Sequence, residues 1–393
     1  MREYVLRTIV TRYRIYLLCP EKPTWEKPYI DGYTIVDTLD APAMVETART
    51  SDEAFAGVLT YEETRVESAA ELATALGLRT STREAVNACR DKYVGRVALQ
   101  DAGVPQAQSI AVADLTQAYA AAKQIGYPVV VKPRALSASC GVTFVADAQH
   151  LEDAYREAGR IWFDEVPRSQ APILVEEFLD GPEISVEALC RDGQVTALFI
   201  AHKELGFAPG FEEVGHVVQA NDPLLHDENL LQVLQEAHTA VGLTNTVTHT
   251  EIRLTEGGPK VVEINARIGG GRIPYLGELV TGLQIGLVAA DLAAGVASEI
   301  PQPTGTMTAA VRFLYPERDL KLESIEIDAA ALPASIYEVL PLANPGTELW
   351  LPPVDNARSR YALLIAVSES EKGCTAALDA AAAAVTAKGI PLS

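Results

Sequence analysis

A chain of 393 residues holds enough surface to bury for roughly two to four structural units. Its 48% apolar and 22% charged residues describe an ordinary globular protein, with no low-complexity tract that points to disorder. A net charge of −21 sets most of the surface against a polyanion, which excludes a general nucleic-acid binder but leaves room for a local basic pocket.

The five cysteines (Cys19, Cys89, Cys140, Cys190 and Cys374) are odd in number and form no C-x-x-C pair. That pattern suits free thiols in a reducing cytosol better than a disulfide frame or a zinc site. The segment Met1 to Arg7 lacks the apolar core of a signal peptide, and no run of about 18 apolar residues could span a membrane. The expectation is a cytoplasmic protein with no membrane partner.

In chain order, Tyr13 to Pro20, Thr34 to Asp37 and Phe55 to Thr60 read as strands, and Glu67 to Leu76 as a helix capped by Gly77. This predicts a small open α/β unit over residues 1–87, without the glycine-rich turn of a dinucleotide site. Ala85 to Asp101 reads as one helix and Leu115 to Gly126 as a second. The β-branched run Tyr127 to Pro133 delivers Lys132 to a strand end, ahead of the small, polar loop from Arg134 to Gly141. Such a loop can bring backbone N–H groups up to phosphate oxygens, or it is a plain surface turn. It is not a Walker A loop, because the lysine precedes it. A helix from about Leu151 to Asp164 follows, then strands over Pro172–Leu179, Ile184–Leu189 and Gln194–Ile200. Lys203 and the stretch Glu212 to His216 fall in or beside Gly- and Pro-rich segments, and Leu230 to Gly242 is the next helix.

The hairpin Thr250–Leu254 with Val261–Arg267 carries the densest chemistry. Period-two geometry places Glu263, Asn265 and Arg267 on one face and brings Glu251 across from them. Two carboxylates and a carboxamide form a hard-oxygen set suited to Mg²⁺ with substrate phosphates. The plain alternative is a half-buried sheet with a solvated charged face. A helix follows Arg272 through Gly286 to Leu292. Beyond residue 303, Thr306–Leu314, Ala334–Leu340 and Tyr361–Val367 read as strands and Thr375–Lys388 as a helix. These form a separate α+β unit with no cluster of candidate ligands.

Lys92, Lys132 with its loop, Glu176-Glu177-Phe178-Leu179-Asp180-Gly181-Pro182-Glu183, Glu251 and Glu263-Ile264-Asn265-Ala266-Arg267 together resemble the ATP-grasp superfamily, in its order and spacing. The resemblance implies α/β and α+β architecture: an N-terminal pre-ATP-grasp domain (1–87), a small lobe (88–178), a large lobe with the metal site (179–302) and a small C-terminal domain (303–393). It implies that Lys92, Lys132, Ser137, Ser139 and Gly141 surround the ATP phosphates. Backbone groups at Glu177 and Leu179 would hydrogen-bond the adenine edge, with Glu176 and Phe178 also in the nucleotide site, and Glu183 would bind the ribose hydroxyls. Glu251, Glu263 and Asn265 would bind two Mg²⁺ ions, with Mn²⁺ as a substitute.

Within the superfamily the chain looks most like the L-amino acid ligases. Glu213-Val214-Gly215-His216 resembles their E-x-G-H segment near the amino-acid substrate, and the C-terminal unit resembles their terminal domain. This implies a carboxylate–amine ligase that joins an unprotected amino acid to an amine such as a second amino acid, working through an acyl phosphate and releasing ADP and phosphate, with a homodimer common among relatives. Arg267, Lys203, Glu213 and His216 are then the catalytic candidates. Glu213, His216, Arg267, Gly270 and Arg272 are the substrate candidates, Arg272 as an anchor for a carboxylate. The rivals are a purine-pathway carboxylase, a formyl-phosphate ligase, or a nucleotide-binding regulator.

Overall fold

The computed structural model describes residues 2–160, 169–301 and 305–392. The chain runs α1 (Glu3–Ile9), β1 (Tyr16–Cys19), β2 (Gly32–Ile35), α2 (Ala41–Thr50), α3 (Val66–Ala75), α4 (Arg83–Arg90), α5 (Lys92–Asp101), β3 (Ser109–Val112), α6 (Leu115–Ile125), β4 (Val129–Pro133), β5 (Thr143–Val145), α7 (Leu151–Arg160) and β6 (Ile173–Glu177). It continues with β7 (Glu183–Arg191), β8 (Gln194–Gly206), β9 (Glu212–Gln219), α8 (Glu228–Ala240), β10 (Asn245–Thr255), β11 (Gly258–Asn265), α9 (Ile273–Thr281) and α10 (Ile285–Ala293). The last elements are β12 (Thr308–Leu314), β13 (Leu320–Ile327), β14 (Ile336–Pro341), β15 (Glu348–Leu349), β16 (Ala362–Ser368), α11 (Glu371–Ala383) and β17 (Val385–Pro391).

Among the described residues the strands form four sheets. A parallel pair, β1–β2, is the whole sheet of the N-terminal unit. The small lobe is an antiparallel sheet ordered β3-β6-β4-β5. Its core packs Val129, Val131 and Val175 against Ala118, Ala122, Leu151 and Ala154 from α6 and α7. The largest sheet is ordered β11-β10-β7-β8-β9-β12-β16-β14. Its main core joins Leu198, Phe199, Val311 and Ile365 to α9, α10 and the N-terminal α1. A three-stranded sheet, β15-β13-β17, completes the C-terminal region.

Several expectations change. Phe55–Thr60 is not a strand; it runs past α10 with no partner edge, and a Cβ on Gly57 would lie 2.7 Å from the Ala293 carbonyl carbon. The helix expected over residues 85–101 breaks at Asp91, which is extended (φ −96°, ψ 102°). Asp91 caps α5 by accepting from the amides of Tyr93 and Val94. Lys92 therefore opens a helix instead of lying within one. The helix expected past Arg272 splits into α9 and α10, bent by 101°, with Gly282 at φ +75°. Glu212–His216 lies in strand β9, not a loop, and β11 ends at Asn265, two residues short of Arg267.

Strands β13 and β17 and helix α1 were not expected; β17 starts where β-branched Val385 and Thr386 pair with β13. The helix expected to reach Asp164 is described to Arg160, and residues 161–164 lie outside the described residues, as does the boundary at 302/303. The C-terminal unit is not a separate body in sheet terms. Strand β12 pairs with β9 from Thr308–Gln219 to Arg312–Gly215, so one sheet runs through both regions. No single described helix is long and apolar enough to cross a membrane.

Candidate active site

The face of the largest sheet toward the small lobe is a charged floor laid out by register. Asn265 pairs with His249 and His249 with Glu187; Glu263 pairs with Glu251 and Glu251 with Ser185; Arg253 pairs with Glu183. Paired residues point to the same side, so three rows of polar side chains cross β11, β10 and β7. Above them lies a cavity of about 250 Å³. Its walls come from the floor, from the small lobe and, unexpectedly, from Ala357 and Arg360 of the C-terminal region.

At the small-lobe end, Lys132 and Arg96 share one carboxylate. Arg96 Nε and Nη2 donate to Glu176 at 2.8 and 3.0 Å, and Lys132 Nζ lies 2.5 Å from Glu176 Oε2. Arg96 also donates to the carbonyls of Val261 (3.0 Å) and Val262 (2.8 Å), tying the small lobe to β11. Burial pushes the Lys132 ammonium down despite Glu176. Burial alone would raise Glu176, yet the two cations hold its carboxyl well below the usual range. Glu176 is thus a buried counter-ion with its oxygens taken. Glu177 is also engaged, with Lys260 Nζ at 3.0 Å and the Gln108 amide at 3.2 Å. The apolar wall beside them is Val130, Phe178, Leu179, Phe211 and Val262, with Phe144 edge-on to Phe178 at 4.8 Å.

Ser137 and Ser139 line the cavity in a loop whose Ala138 and Ser139 sit at φ +56° and +52°. Gly141 does not line it; a Cβ there would meet Pro133 at 3.0 Å and Ala158 at 3.3 Å. Lys92 spans loop and floor. Its Nζ lies 2.5 Å from the Leu136 carbonyl and 3.1 Å from Glu263 Oε1.

Lys203 is the hub of the floor. Its ammonium, on a side chain 1% exposed, lies 3.0 Å from Glu183, 2.8 Å from Glu213 and 2.9 Å from Glu251. Burial opposes its charge, but the three carboxylates raise its pKa well above that of an ordinary lysine. Burial likewise pushes Glu213 and Glu251 upward, and Lys203 overrides it, holding both far below the usual range. His249 faces the same balance: burial lowers it, and Glu187 prevails to bring it up to about 9. The cationic imidazole bridges Glu187 Oε1 (2.5 Å) and Glu251 Oε1 (3.3 Å). Glu187 Oε2 accepts from the Gly269 amide at 3.0 Å. A Cβ on Gly269 would lie 2.3 Å from Glu187, and one on Gly271 2.4 Å from His216, so the glycine loop closes onto the floor only without side chains.

The residues singled out from sequence divide as follows. Lys92, Lys132, Ser137, Ser139, Glu176 to Leu179, Glu183, Glu213, Glu251, Glu263, Asn265, Arg267 and Gly270 line one cavity. Lys203 and His216 lie beneath its wall, with His216 Nε2 3.4 Å from Glu213. Arg272 is off the wall. It pairs with Glu338 of the C-terminal region and lies 4.3 Å from the Tyr275 ring centroid. Arg267 lines the cavity while its Nε is paired with Glu63 of the N-terminal unit.

Metal chemistry fits this floor in part through its donors. Glu251 and Glu263 face each other across two strands. Asn265 donates through Nδ2 to the His249 carbonyl at 3.4 Å, which leaves its amide oxygen as an acceptor. Among the described residues no group of three or more His, Cys, Asp and Glu is arranged to hold an ion. Two carboxylates and a carboxamide suit a cation that takes its remaining ligands from phosphate and water.

Arg96, Glu187, His249, Arg253, Glu63 and Arg360 were not foreseen. His249 and Arg253 had a signal, since they flank Glu251 at the strand's period of two. Glu187 is an acid inside an apolar strand, and fully buried acids are rare unless paired. Glu63 and Arg360 lie 204 and 148 residues from Arg267 and Glu212, the partners they meet, and nothing local marks either.

Residues 125–274 match an ATP-grasp domain. The chain is 29% identical over 322 residues to the uncharacterized protein y4rH of Sinorhizobium fredii, covering 80% of this chain and 65% of that protein. It is 30% identical over 234 residues to alanine–anticapsin ligase of Bacillus subtilis, covering 54% and 48% of the two chains. The chain therefore spans between about half and two thirds of the length of these curated relatives. Among solved structures, the L-amino acid ligase from Bacillus licheniformis superimposes with a TM-score of 0.79 at 22% identity, over 99% of this chain and 97% of that one. The fold is the ATP-grasp fold.

Proposed function

We propose that this member of the ATP-grasp superfamily is an ATP-dependent carboxylate–amine ligase that joins an amino-acid carboxylate to an amine. One observation carries the reading. A single cavity holds a nucleotide-type end (Lys92, Lys132, Ser137, Phe178, Glu183) and, across the Glu251–Glu263 pair, an end with Arg267, Glu213 and Arg360. The similarity to alanine–anticapsin ligase and to an L-amino acid ligase structure supports the same class.

ATP-grasp enzymes use ATP and Mg²⁺. In this chain Glu251, Glu263 and Asn265 are the residues to hold the metal, which when bound offsets charge on phosphate oxygens. The chain's own cations do the rest. Lys92 and Lys132 face the triphosphate, and the loop Ser137–Ser139 covers it. Glu183, beside Arg253 at 2.8 Å, is the carboxylate to meet the ribose hydroxyls. A carboxylate is inert to amines at neutral pH because oxide leaves poorly. Transfer of the γ-phosphoryl group to a carboxylate oxygen breaks its bond to ADP and gives an acyl phosphate. The amine nitrogen then attacks the carbonyl, the C–O bond to phosphate breaks, and the amine sheds a proton. Arg267 is the group to meet charge developing on the oxyanion and the departing phosphate.

The test is release of ADP in the presence of pairwise amino acids, with the products read by mass spectrometry. One ¹⁸O from the labelled carboxylate should appear in inorganic phosphate. AMP and pyrophosphate as products, or turnover with bicarbonate or formate alone, would refute the reading.

A further inference from the structure

Among the described residues, Arg360 is the one polar side chain that the C-terminal region gives to the cavity wall, and its surroundings hold it in one pose. It is 10% exposed. Its guanidinium lies 3.9 Å from the Phe313 ring centroid and 5.9 Å from that of Tyr315. Nε donates to the Tyr315 hydroxyl at 2.8 Å, and Nη2 donates to Glu212 Oε1 at 2.6 Å and to the Glu213 carbonyl at 2.7 Å. Tyr315 donates to the same Glu212 oxygen at 2.5 Å, and Glu212 itself is 3% exposed. These bonds use Nε and Nη2. Nη1, with two N–H groups, makes no hydrogen bond among the described residues, and it belongs to a side chain that lines the cavity.

We infer that Arg360 is a specificity-determining residue that reads, through Nη1, the carboxylate of the amine-donating amino acid, the one left free in the product. The inference rests on the ligase reading above. Three points support it. A guanidinium braced by a carboxylate and two aromatic rings is pre-organised, so binding a second anion costs little ordering. Arg360 holds the backbone of Glu213, so a fixed cation and a carboxylate stand on adjacent parts of one wall. An α-amino acid carries the matching pair of charges, whereas a simple amine carries one. A carboxylate held by a buried arginine is also a weak nucleophile, which suits the substrate that is not phosphorylated. The nucleotide phosphates are the other anions in reach, and they already have Lys92, Lys132 and the loop.

The experiment pairs amino acids with their amides, such as L-alanine with L-alaninamide and L-phenylalanine with L-phenylalaninamide, as acceptors in ADP release with the full chain. For the wild-type chain the amide should be roughly tenfold or more worse in kcat/KM, since a site built for a polar group rejects the analogue lacking it. In Arg360→Gln the gap should close to about twofold because the KM for the acid rises while that for the amide stays. Equal loss for acid and amide would show that Arg360 only braces Glu212 and Glu213, and overturns the inference. So would a wild-type chain with no preference for acids anywhere in the panel. Calorimetry of the same pairs, with Mg²⁺ and a non-hydrolysable ATP analogue present, gives the ratio without turnover. Absence of amine-dependent ADP release then sinks the ligase reading, while the binding ratio still decides Arg360. Weakening of the ATP analogue itself in Arg360→Gln would assign the residue to phosphate. If the single variant does not fold, Arg360→Gln with Glu212→Gln removes both buried charges and answers the same question.

Discussion

Replacing Lys203 with methionine tests the electrostatics of the floor. The substitution keeps length and volume and removes one ammonium from among Glu183, Glu213 and Glu251, at 3.0, 2.8 and 2.9 Å. Each attraction is worth about 5–6 kcal/mol at an effective dielectric of about 20. Desolvation of the ions and repulsion among the carboxylates take back most of it. Removing one partner of a buried cluster typically costs about 3–5 kcal/mol, because the remaining charges stay buried and uncompensated. At roughly 1–2 °C per kcal/mol for a chain of 393 residues, the variant should melt about 5 °C below wild type at pH 7.5.

The pH dependence has a definite sign. In the wild type Glu213 and Glu251 are depressed, so their stabilisation is present above the ordinary carboxylate value of 4.5 and is lost only as pH falls through their lower folded values. Without Lys203, burial leaves carboxylates that resist ionisation, and the penalty fades as pH falls toward 4.5. The gap in melting temperature should therefore narrow between pH 7.5 and pH 5. Mg²⁺ alone should stabilise the variant more than the wild type, since a cation now replaces a missing cation. Thermal unfolding at both pH values, with and without Mg²⁺, checks this. A gap under about 2 °C at pH 7.5, or one that does not narrow at pH 5, would show that Lys203 does not neutralise the floor.

Two further outcomes follow from the same geometry. Glu263→Gln should fold normally and lose most Mn²⁺ binding, read by electron paramagnetic resonance with an ATP analogue, together with most turnover; normal metal binding would remove Glu263 from the metal set. Arg267→Ala should lower kcat far more than it raises the ATP Kd, because its proposed contact is made in the transition state, and the reverse split would make it a nucleotide clamp.

Much of this site was readable because local sequence periodicity and strand geometry coincide. Glu251, Glu263 and Asn265 lie on strands whose alternation is visible in the chain, and a short Glu256–Gly257 turn fixes the register that opposes them. Lys132 is equally local, carried at the end of β4 into a loop of small residues. Legibility ended where a side chain's meaning comes from charge balance between distant elements. Glu176 reads as a nucleotide contact beside Glu177, yet Arg96, 80 residues earlier, makes it a counter-ion. Arg272 reads as a free anchor after three glycines, yet Glu338, 66 residues later, occupies it.

The C-terminal region shows the same limit from the other side. Its sequence holds no cluster of chemical groups, so it reads as a structural cap. The pairing of β12 with β9 brings Phe313 and Tyr315 beside Glu212, and the turn at Asn356–Ser359 then delivers Arg360 between them. No window of sequence contains that arrangement, because its parts are joined only by the sheet. A buried acid such as Glu212, 3% exposed at the start of β9, requires a cation to balance its charge. It states that an arginine or lysine must arrive, and only the fold says which one.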